Sequence, residues 1–388
     1  MINIGLYLVE NQKIGGAYQL CLNIISALKK LDTKKYRLTA FTEKNIWKKS
    51  LKNRFKIIHV KRNKFSKLAT SLICKVSSNK KIITFFSNLF DPHINKMNKS
   101  EVDLIIFPTQ DDNSYKTQKK SLSSILDLMH IYESQFAEYS KKEIKRRNTK
   151  YSLISKICDG ILVESQLTIK HIFENYDVKS NIHVLPLLYP QYLNKKKNVN
   201  IFKKYNLPKE YIFYPAQFWE QKNHINLLKA FKIISNKYKN LNLVLSGAKK
   251  INYKNVLNKI DELKINDKIF LIDYIDENDM YSLYKKSKCV TYVPFTGPTN
   301  IPPLEAIKVG VPLVCSNVYS MKKQIGKKSA LFVNPKSEKD ISKKIDKILT
   351  SKKIRQKIIQ SGKLKSKSFG IEKYAKLLEK YINITISN

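Results

Sequence analysis

Residues 290–315 read VTYVPFTGPTNIPPLEAIKVGVPLVC. The apolar run 290–293 predicts a strand, a turn-rich loop follows, then a short helix over 304–308, then a second strand from Leu313. Of the chain's 10 Gly and 12 Pro, one Gly and four Pro fall between residues 294 and 306. Pro302 and Pro303 stand where a first helical turn tolerates proline, and Gly310 suits a C-terminal cap. Strand, loop, helix and strand in this order build a parallel sheet flanked by helices. The loop aims a helix N-terminus, where an anion is stabilised. Glu305, placed in the first turn, reads as a capping acid contributing about 0.3–1 kcal/mol. The sharper reading is an acceptor for two neighbouring sugar hydroxyls, as on a ribose.

The same alternation runs through the chain. Strands are expected at 2–9, 38–41, 55–60, 104–107, 125–129, 161–164 and 182–185, with a helix over 17–31. Residues 186–208 hold three prolines and the run Lys195, Lys196, Lys197, and they read as a linker. A second series places strands at 211–215, 242–245, 269–272, 290–293, 313–315 and 330–333. Helices over 225–238, 277–286 and 337–349 lie between them. The 388 residues suit two domains of roughly 150–200 residues. The expected division is 1–190, a linker 191–209, 210–368, and a C-terminal helix 369–388 crossing back to the first domain. The fold class is α/β, two Rossmann-like doubly wound domains. Such sheets bind ligands beyond the carboxyl ends of their strands, here expected along a central cleft.

The formal net charge is +42. Scattered lysines in a Lys-, Asn- and Ile-rich composition account for it without function; attraction to an anionic surface is the functional alternative. Scarce Arg weighs against a base reader. The five cysteines, Cys21, Cys74, Cys158, Cys289 and Cys315, are dispersed, which opposes a disulfide framework or zinc site and fits a reducing cytosol. The N-terminus MINIGLYLVE, with Glu10, is too short and too acidic for a signal peptide, and no apolar run reaches the ~20 residues of a spanning helix. The expected location is cytoplasmic, with peripheral contact on the inner face of the cytoplasmic membrane. The basic segment 139–156, YSKKEIKRRNTKYSLISK, is the candidate anchor; a solvated helix face is the plainer reading.

Two further loops follow strands. IGGAYQL, residues 14–20, places Gly15 and Gly16 before a helix, where backbone can approach a ligand; the third glycine of a dinucleotide fingerprint is missing. In YPAQFWEQKNHINLLKAF, residues 214–231, a strand ends, a loop carries Gln217, Trp219 and Lys222, and a helix begins near Asn223 or His224. Lys222, just before that helix, is placed to pair a phosphate that the helix dipole also favours.

With these segments in view, the sequence resembles the family 4 retaining glycosyltransferases (group 1 glycosyltransferases) of the GT-B fold, most strongly over 211–335. Their acid-Gly-Phe-Gly-Leu-Pro-x-Leu-Glu-Ala segment is matched by Gly297-Pro298-Thr299-Asn300-Ile301-Pro302-Pro303-Leu304-Glu305-Ala306. The resemblance implies a ribose-binding role for Glu305, a diphosphate-gripping role for Lys222 and a Gly-Gly loop at Gly15 and Gly16. Ser165 and Thr168 resemble the pair after a first-domain strand, and Ser246 and Gly247 the small turn after a second-domain strand. Three positions depart: the first acid of the family's paired motif falls on Gly297, its arginine on Gln217, and its His-Asp pair on Leu126 and Asp127, with His130 nearby.

The resemblance implies transfer of a sugar from a nucleotide-diphosphate sugar to a glycan or lipid-linked acceptor, with retention and without a metal or other cofactor. Lys222 and the amides of Thr299, Asn300 and Ile301 would stabilise charge on the leaving diphosphate. Gln217, Ser246, Gly247 and Gly297 would line the donor, while Gly15, Gly16, Asp127 and His130 would serve the acceptor and sugar side. The departures raise an alternative, a catalytically weak sugar-nucleotide or glycan binding protein of the same fold. Nucleic-acid binding, from charge alone, and epimerisation of a sugar nucleotide are further rivals.

Overall fold

The computed structural model describes residues 1–8, 15–43, 45–61, 64–273 and 275–387, without the side chains of residues 64, 65, 67 and 69. Val9, Glu10 and Ile14 of the expectations above lie outside the described residues. The chain divides into two units: Met1–Tyr132, Lys141–Pro186 and Gly370–Asn388 in one, Glu133–Ser140 and Leu187–Phe369 in the other.

The first unit holds a seven-stranded sheet of β1 (Ile2–Leu8), β2 (Tyr36–Thr42), β3 (Phe55–His59), β4 (Leu104–Ile106), β5 (Lys120–Ser124), β6 (Gly160–Val163) and β7 (Asn181–Val184). Its order is β3-β2-β1-β4-β5-β6-β7, and every pair is parallel. β4 and β6, LII and GILV, are buried along their whole length, as strands covered on both faces must be. The C-terminal helix Ile371–Ser387 packs on this unit. It buries Tyr374, Ala375, Leu378 and Ile382, and the Tyr381 hydroxyl donates to the Val184 carbonyl at 2.9 Å.

The second unit holds β8 (Tyr211–Pro215), β9 (Asn242–Ser246), β10 (Ile269–Ile272), β11 (Cys289–Tyr292), β12 (Leu313–Ser316) and β13 (Leu331–Val333), ordered β10-β9-β8-β11-β12-β13 and again all parallel. Ile212, Phe213, Val244, Leu245, Val290, Leu313 and Val314 are fully buried between the helix layers. Residues 191–209, expected as a linker, are built into this unit: Leu193 and Ile201 are buried, and the Val199 N–H donates to Ser282 Oγ at 2.8 Å.

In both sheets the chain winds outward through three strands and restarts on the other side. The direction therefore reverses between β1 and β4, and between β8 and β11. Ligands in such sheets sit at this reversal, beyond the strands' carboxyl ends.

One expected strand is displaced. Residues 125–129 are not a strand; β5 lies five residues earlier, in KSLSS. Its three serines are buried, and two of them are tied down: the Ser124 hydroxyl donates to the Phe107 carbonyl at 3.0 Å, and the Ser121 N–H to Asp159 Oδ2 at 2.9 Å. Ile125 and Leu128 instead pack into the core beside the sheet. Helices over Lys64–Val76, Lys80–Phe90, Tyr253–Glu262 and Lys352–Ser366 had no counterpart in the sequence reading. Among the described residues, no helix is long and apolar enough to cross a membrane.

Candidate active site

At the second unit's reversal, the loops after β8 and β11 meet. The first runs from Ala216 through a short turn, Glu220–Lys222, to the helix His224–Lys237. Asn223 joins them in a left-handed conformation, φ 58°. Its Nδ2 donates to the carbonyls of Val293 and Pro335, both at 2.8 Å, which ties the β8 loop to the end of β11. The Tyr214 hydroxyl donates to the Lys222 carbonyl from beneath.

Lys222 is therefore held at its backbone while its side chain, half-buried, reaches across the gap. Its Nζ lies 3.2 Å from the Tyr292 hydroxyl and 3.2 Å from Asn300 Oδ1, and the Tyr292 hydroxyl donates to the same Oδ1 at 2.8 Å. Asn300 is clamped in turn by Gln324: its N–H donates to Gln324 Oε1 at 3.0 Å, and Gln324 Nε2 donates to its carbonyl at 2.9 Å. A lysine so placed, with neutral oxygens around it, can exchange them for the stronger acceptors of a phosphate.

Asn300 precedes the helix Ile301–Val309 without capping it through its side chain. Pro302 and Pro303 are the second and third residues of that helix and carry no N–H. With the Asn300 amide committed to Gln324, the first turn has one backbone donor, Ile301, before Leu304. The anion site expected of this helix end is thus narrower than a full turn of amides. Thr299 and Ile301 are half-buried beside it.

The helix starts at Ile301, three residues earlier than expected, so Glu305 lies in its second turn and is no first-turn capping acid. Its side chain is only 3% exposed. The Tyr192 hydroxyl donates to Oε1 at 2.7 Å and the Tyr284 hydroxyl to Oε2 at 2.6 Å. Burial pushes the carboxyl pKa up, and the two tyrosines, Tyr284 more than Tyr192, pull it back down. Two of about four lone-pair positions are therefore used.

Gly297 has φ +115°, and a Cβ there would stand 2.7 Å from Asn300 Nδ2. Gly247 has φ +151°, and its Cβ would meet the Ala216 carbonyl oxygen at 2.4 Å, where the loops after β8 and β9 touch. Ser246 is buried at the end of β9. Gln217 Oε1 accepts from Trp219 Nε1 at 3.0 Å. The segment Glu133–Ser140, part of this unit, lies alongside: Phe136 stacks on Phe295 at 5.7 Å, and the Ala137 N–H donates to Glu220 Oε2 at 3.1 Å.

In the first unit, Gly15 and Gly16 are exposed and open the helix Gly15–Leu28. Asp127 Oδ1 accepts from the Met129 N–H at 3.0 Å and so begins the short helix Met129–Tyr132. His130 is fully buried; its Nε2 lies 2.9 Å from Asn148 Oδ1, its ring meets Tyr151 edge-on, and burial lowers its pKa. Leu126 is half-buried beside Asp127. Ser165 Oγ accepts from the Thr168 N–H at 3.2 Å as the N-cap of Gln166–Asn175.

Sequence reasoning missed Tyr192, Tyr284, Tyr292 and Gln324, which position Glu305 and Asn300. Only Tyr292, at the last position of a buried strand, carried a local signal.

Residues 195–365 match the family of glycosyl transferases group 1. That segment contains Lys222, Gly297, Asn300 and Glu305. The O-antigen chain mannosyltransferase RfbU of Salmonella typhimurium is 24% identical over 184 residues, 47% of this chain and 49% of that protein. The chain thus spans about half the length of this relative. Sucrose-phosphate synthase from Thermosynechococcus elongatus superposes with TM-score 0.74 at 15% identity, covering 100% of both chains. Anabaena HepE, in complex with UDP and glucose, superposes with TM-score 0.73 at 12% identity over 99% of this chain and 100% of that one. The fold is that of the GT-B glycosyltransferases, two Rossmann-like units with parallel sheets.

Proposed function

We propose that the protein is a retaining glycosyltransferase. It moves a sugar from a nucleotide-diphosphate sugar to a glycan or lipid-linked acceptor in the synthesis of a surface polysaccharide of the lipopolysaccharide type. The observation that carries the reading is the Lys222–Asn300–Tyr292 cluster at the β8/β11 reversal, inside the segment that matches the group 1 family. Lys222 there, where two loops meet at the sheet reversal, has the placement a diphosphate requires.

In this reading Lys222 leaves Asn300 and Tyr292 to pair the donor diphosphate and stabilises the charge that builds on it as the glycosidic bond breaks. The Ile301 amide adds a fixed donor. Asn300, held by Gln324, is the polar group nearest Gly297, and it faces the donor sugar where the family's first acid is missing. Glu305 accepts from the ribose hydroxyls once Tyr192 moves off Oε1. Gln217, Ser246, Gly247 and Thr299 line the nucleotide side. Gly15, Gly16, Asp127 and His130 belong to the acceptor side; buried His130 acts there by fixing the loop that carries Asp127. The nucleotide sugar is a co-substrate, and no further cofactor is part of the scheme. Retention follows from attack on the face that the diphosphate leaves.

Mannose is the first sugar to test, because the Salmonella relative is an O-antigen chain mannosyltransferase. UDP, GDP and dTDP sugars are screened by thermal shift, since a ligand that binds only the folded state raises the melting temperature. The donor that binds is then tested for turnover, with the anomeric configuration read by proton NMR. Lys222→Ala is expected to abolish the thermal shift of the nucleotide sugar while leaving the unliganded melting point within a few degrees. An unchanged shift in Lys222→Ala removes the diphosphate assignment, and an inverted product removes retention. Binding without turnover on any acceptor supports the second reading, a sugar-nucleotide binding protein, which the residues at Gly297 and Gln217 favour.

A further inference from the structure

Two helices of the first unit have their polarity turned inside out. Lys64–Val76 buries Ser66, Thr70 and Cys74 at four-residue spacing, and exposes Leu68, Leu72 and Val76 at the same spacing. Lys80–Phe90 buries Thr84 and Ser87 beside Ile83, and exposes Ile82, Phe85, Leu89 and Phe90. Val76 is 91% exposed and Phe85 60%. The two hidden threonines are satisfied within the fold: Thr70 Oγ1 donates to the Ser66 carbonyl at 3.0 Å and accepts from Lys116 Nζ at 3.1 Å, and Thr84 Oγ1 donates to the Lys80 carbonyl at 2.9 Å. The two helices pack on one another. On the second, Phe86 stacks on Phe90 at 6.0 Å and meets Phe85 edge-on at 5.3 Å. A helix pair that hides threonine and displays phenylalanine is arranged for a surrounding other than water.

Charge identifies that surrounding. Between residues 61 and 90 the sequence carries Lys61, Arg62, Lys64, Lys67, Lys75, Lys80 and Lys81 and no Asp or Glu. Lys75 and Lys81 are exposed. A second copy of this chain would set the same cations against one another, and the apolar stripe gains nothing from a nucleic-acid backbone. Anionic lipid offers both halves of the match: headgroup phosphates for the lysines and the acyl boundary for Leu, Phe and Val. The basic helix Lys141–Ile157, expected from the sequence as the anchor, is less suited. Arg146 and Arg147 both pair with Glu143 at 2.7 Å, and Lys150 lies 3.5 Å from Asp112.

We propose that the outward faces of the Lys64–Val76 and Lys80–Phe90 helices form a docking surface for an anionic membrane, with Leu72, Phe85 and Leu89 entering the headgroup layer and Lys75 and Lys81 pairing lipid phosphates. The proposal is independent of the sugar-transfer reading, and its test has no catalytic readout. The full chain is floated with vesicles of phosphatidylcholine containing phosphatidylglycerol, and with phosphatidylcholine alone. The wild type floats with the anionic vesicles and not with the neutral ones. Leu72→Ser/Phe85→Ser/Leu89→Ser keeps the wild-type circular dichroism and melting temperature, and its partitioning falls at least about tenfold. Lys75→Gln/Lys81→Gln loses about fivefold per lysine. Lys141→Gln/Lys142→Gln/Arg146→Gln/Arg147→Gln retains binding. The proposal is overturned if the wild type does not float, if the triple serine variant floats as well as the wild type, or if the variant in helix Lys141–Ile157 alone abolishes binding. It is overturned equally if lipid-free wild type sediments as a dimer that the serine variant converts to monomer, since the surface is then an interface between copies.

Discussion

Gly297→Ala tests whether the loop after β11 is built as described. The residue has φ +115°, a backbone conformation essentially confined to glycine, and holding another residue there costs on the order of 1–3 kcal/mol. The added Cβ stands 2.7 Å from Asn300 Nδ2. That amide has little room to yield. Its Oδ1 is held by the Tyr292 hydroxyl at 2.8 Å and Lys222 Nζ at 3.2 Å, and its backbone is bracketed by Gln324. Displacing it weakens at least one of these bonds, a further ~0.5–1.5 kcal/mol. The sum is about 1.5–4.5 kcal/mol. For a unit of this size it lowers the melting temperature by roughly 3–18 °C, at about 2–4 °C per kcal/mol. Scanning calorimetry reads the transition, and Gly370→Ala serves as control, because no atom lies within 4 Å of its added Cβ. The control is expected within about 1 kcal/mol of wild type. A Gly297→Ala protein that melts with the wild type refutes both the strained backbone and the fixed Asn300. Gly297→Glu, which restores the acid usual in the resembled family, meets the same penalty and is expected to gain no activity.

His224 lies between Phe218, stacked at 4.6 Å, and Tyr214, edge-on at 5.1 Å, and burial drives its pKa down to about 3. Above about pH 6.5 the ring is neutral in both folded and unfolded chains. Below that only the unfolded chain takes the proton, so stability falls by ~1.4 kcal/mol per pH unit, about 2 kcal/mol by pH 5. Urea unfolding at pH 7 and pH 5 checks this; in His224→Phe the acid-side slope is smaller by about one proton, and an unchanged slope removes the assignment. Tyr192→Phe takes one donor from the buried Glu305 carboxylate and costs about 1–3 kcal/mol at pH 8. Because the tyrosine bonds lower the Glu305 pKa, the variant's deficit shrinks as pH falls and the carboxyl protonates; a deficit that grows toward acid contradicts the contact.

The strands were legible wherever burial on both faces gave an apolar run. β8 and β10 fall on the expected residues, and most others within a residue or two. β5 was not legible, because KSLSS fills a buried strand with small polar side chains instead of an apolar run, and the apolar residues after it belong to the core beside the sheet. The Lys64–Val76 and Lys80–Phe90 helices escaped for the opposite reason. Several of their polar residues, Ser66, Thr70, Thr84 and Ser87, point inward while Leu68, Leu72, Val76, Phe85 and Leu89 are exposed, so a periodicity read as core-facing points the wrong way.

The site divides along the same physical line. Lys222 could be singled out because a lysine between a strand end and a helix start is a local feature. Glu305 could be singled out because it follows a proline-stiffened loop. What surrounds them could not be read, since each partner comes from far along the chain. Tyr192 is 113 residues from Glu305, Asn300 is 78 from Lys222, and Gln324 is 24 from Asn300. These partners change how the two residues can act. Lys222 lies half-buried at the sheet reversal with the Tyr292 hydroxyl and Asn300 Oδ1 each 3.2 Å away, neutral acceptors that on the proposed reading a phosphate would outcompete. Glu305 is covered by a tyrosine from the stretch expected to be a mere linker, so a ribose reaches it only if that tyrosine moves. On the proposed reading nucleotide capture would have an order: the diphosphate would meet Lys222 first, and displacement of Tyr192 would follow. Tyr192→Ala, which removes the cover outright, should then speed nucleotide association relative to Tyr192→Phe in stopped-flow fluorescence. Equal association rates in the two variants would mean that Glu305 is not the ribose acceptor or that Tyr192 does not guard it.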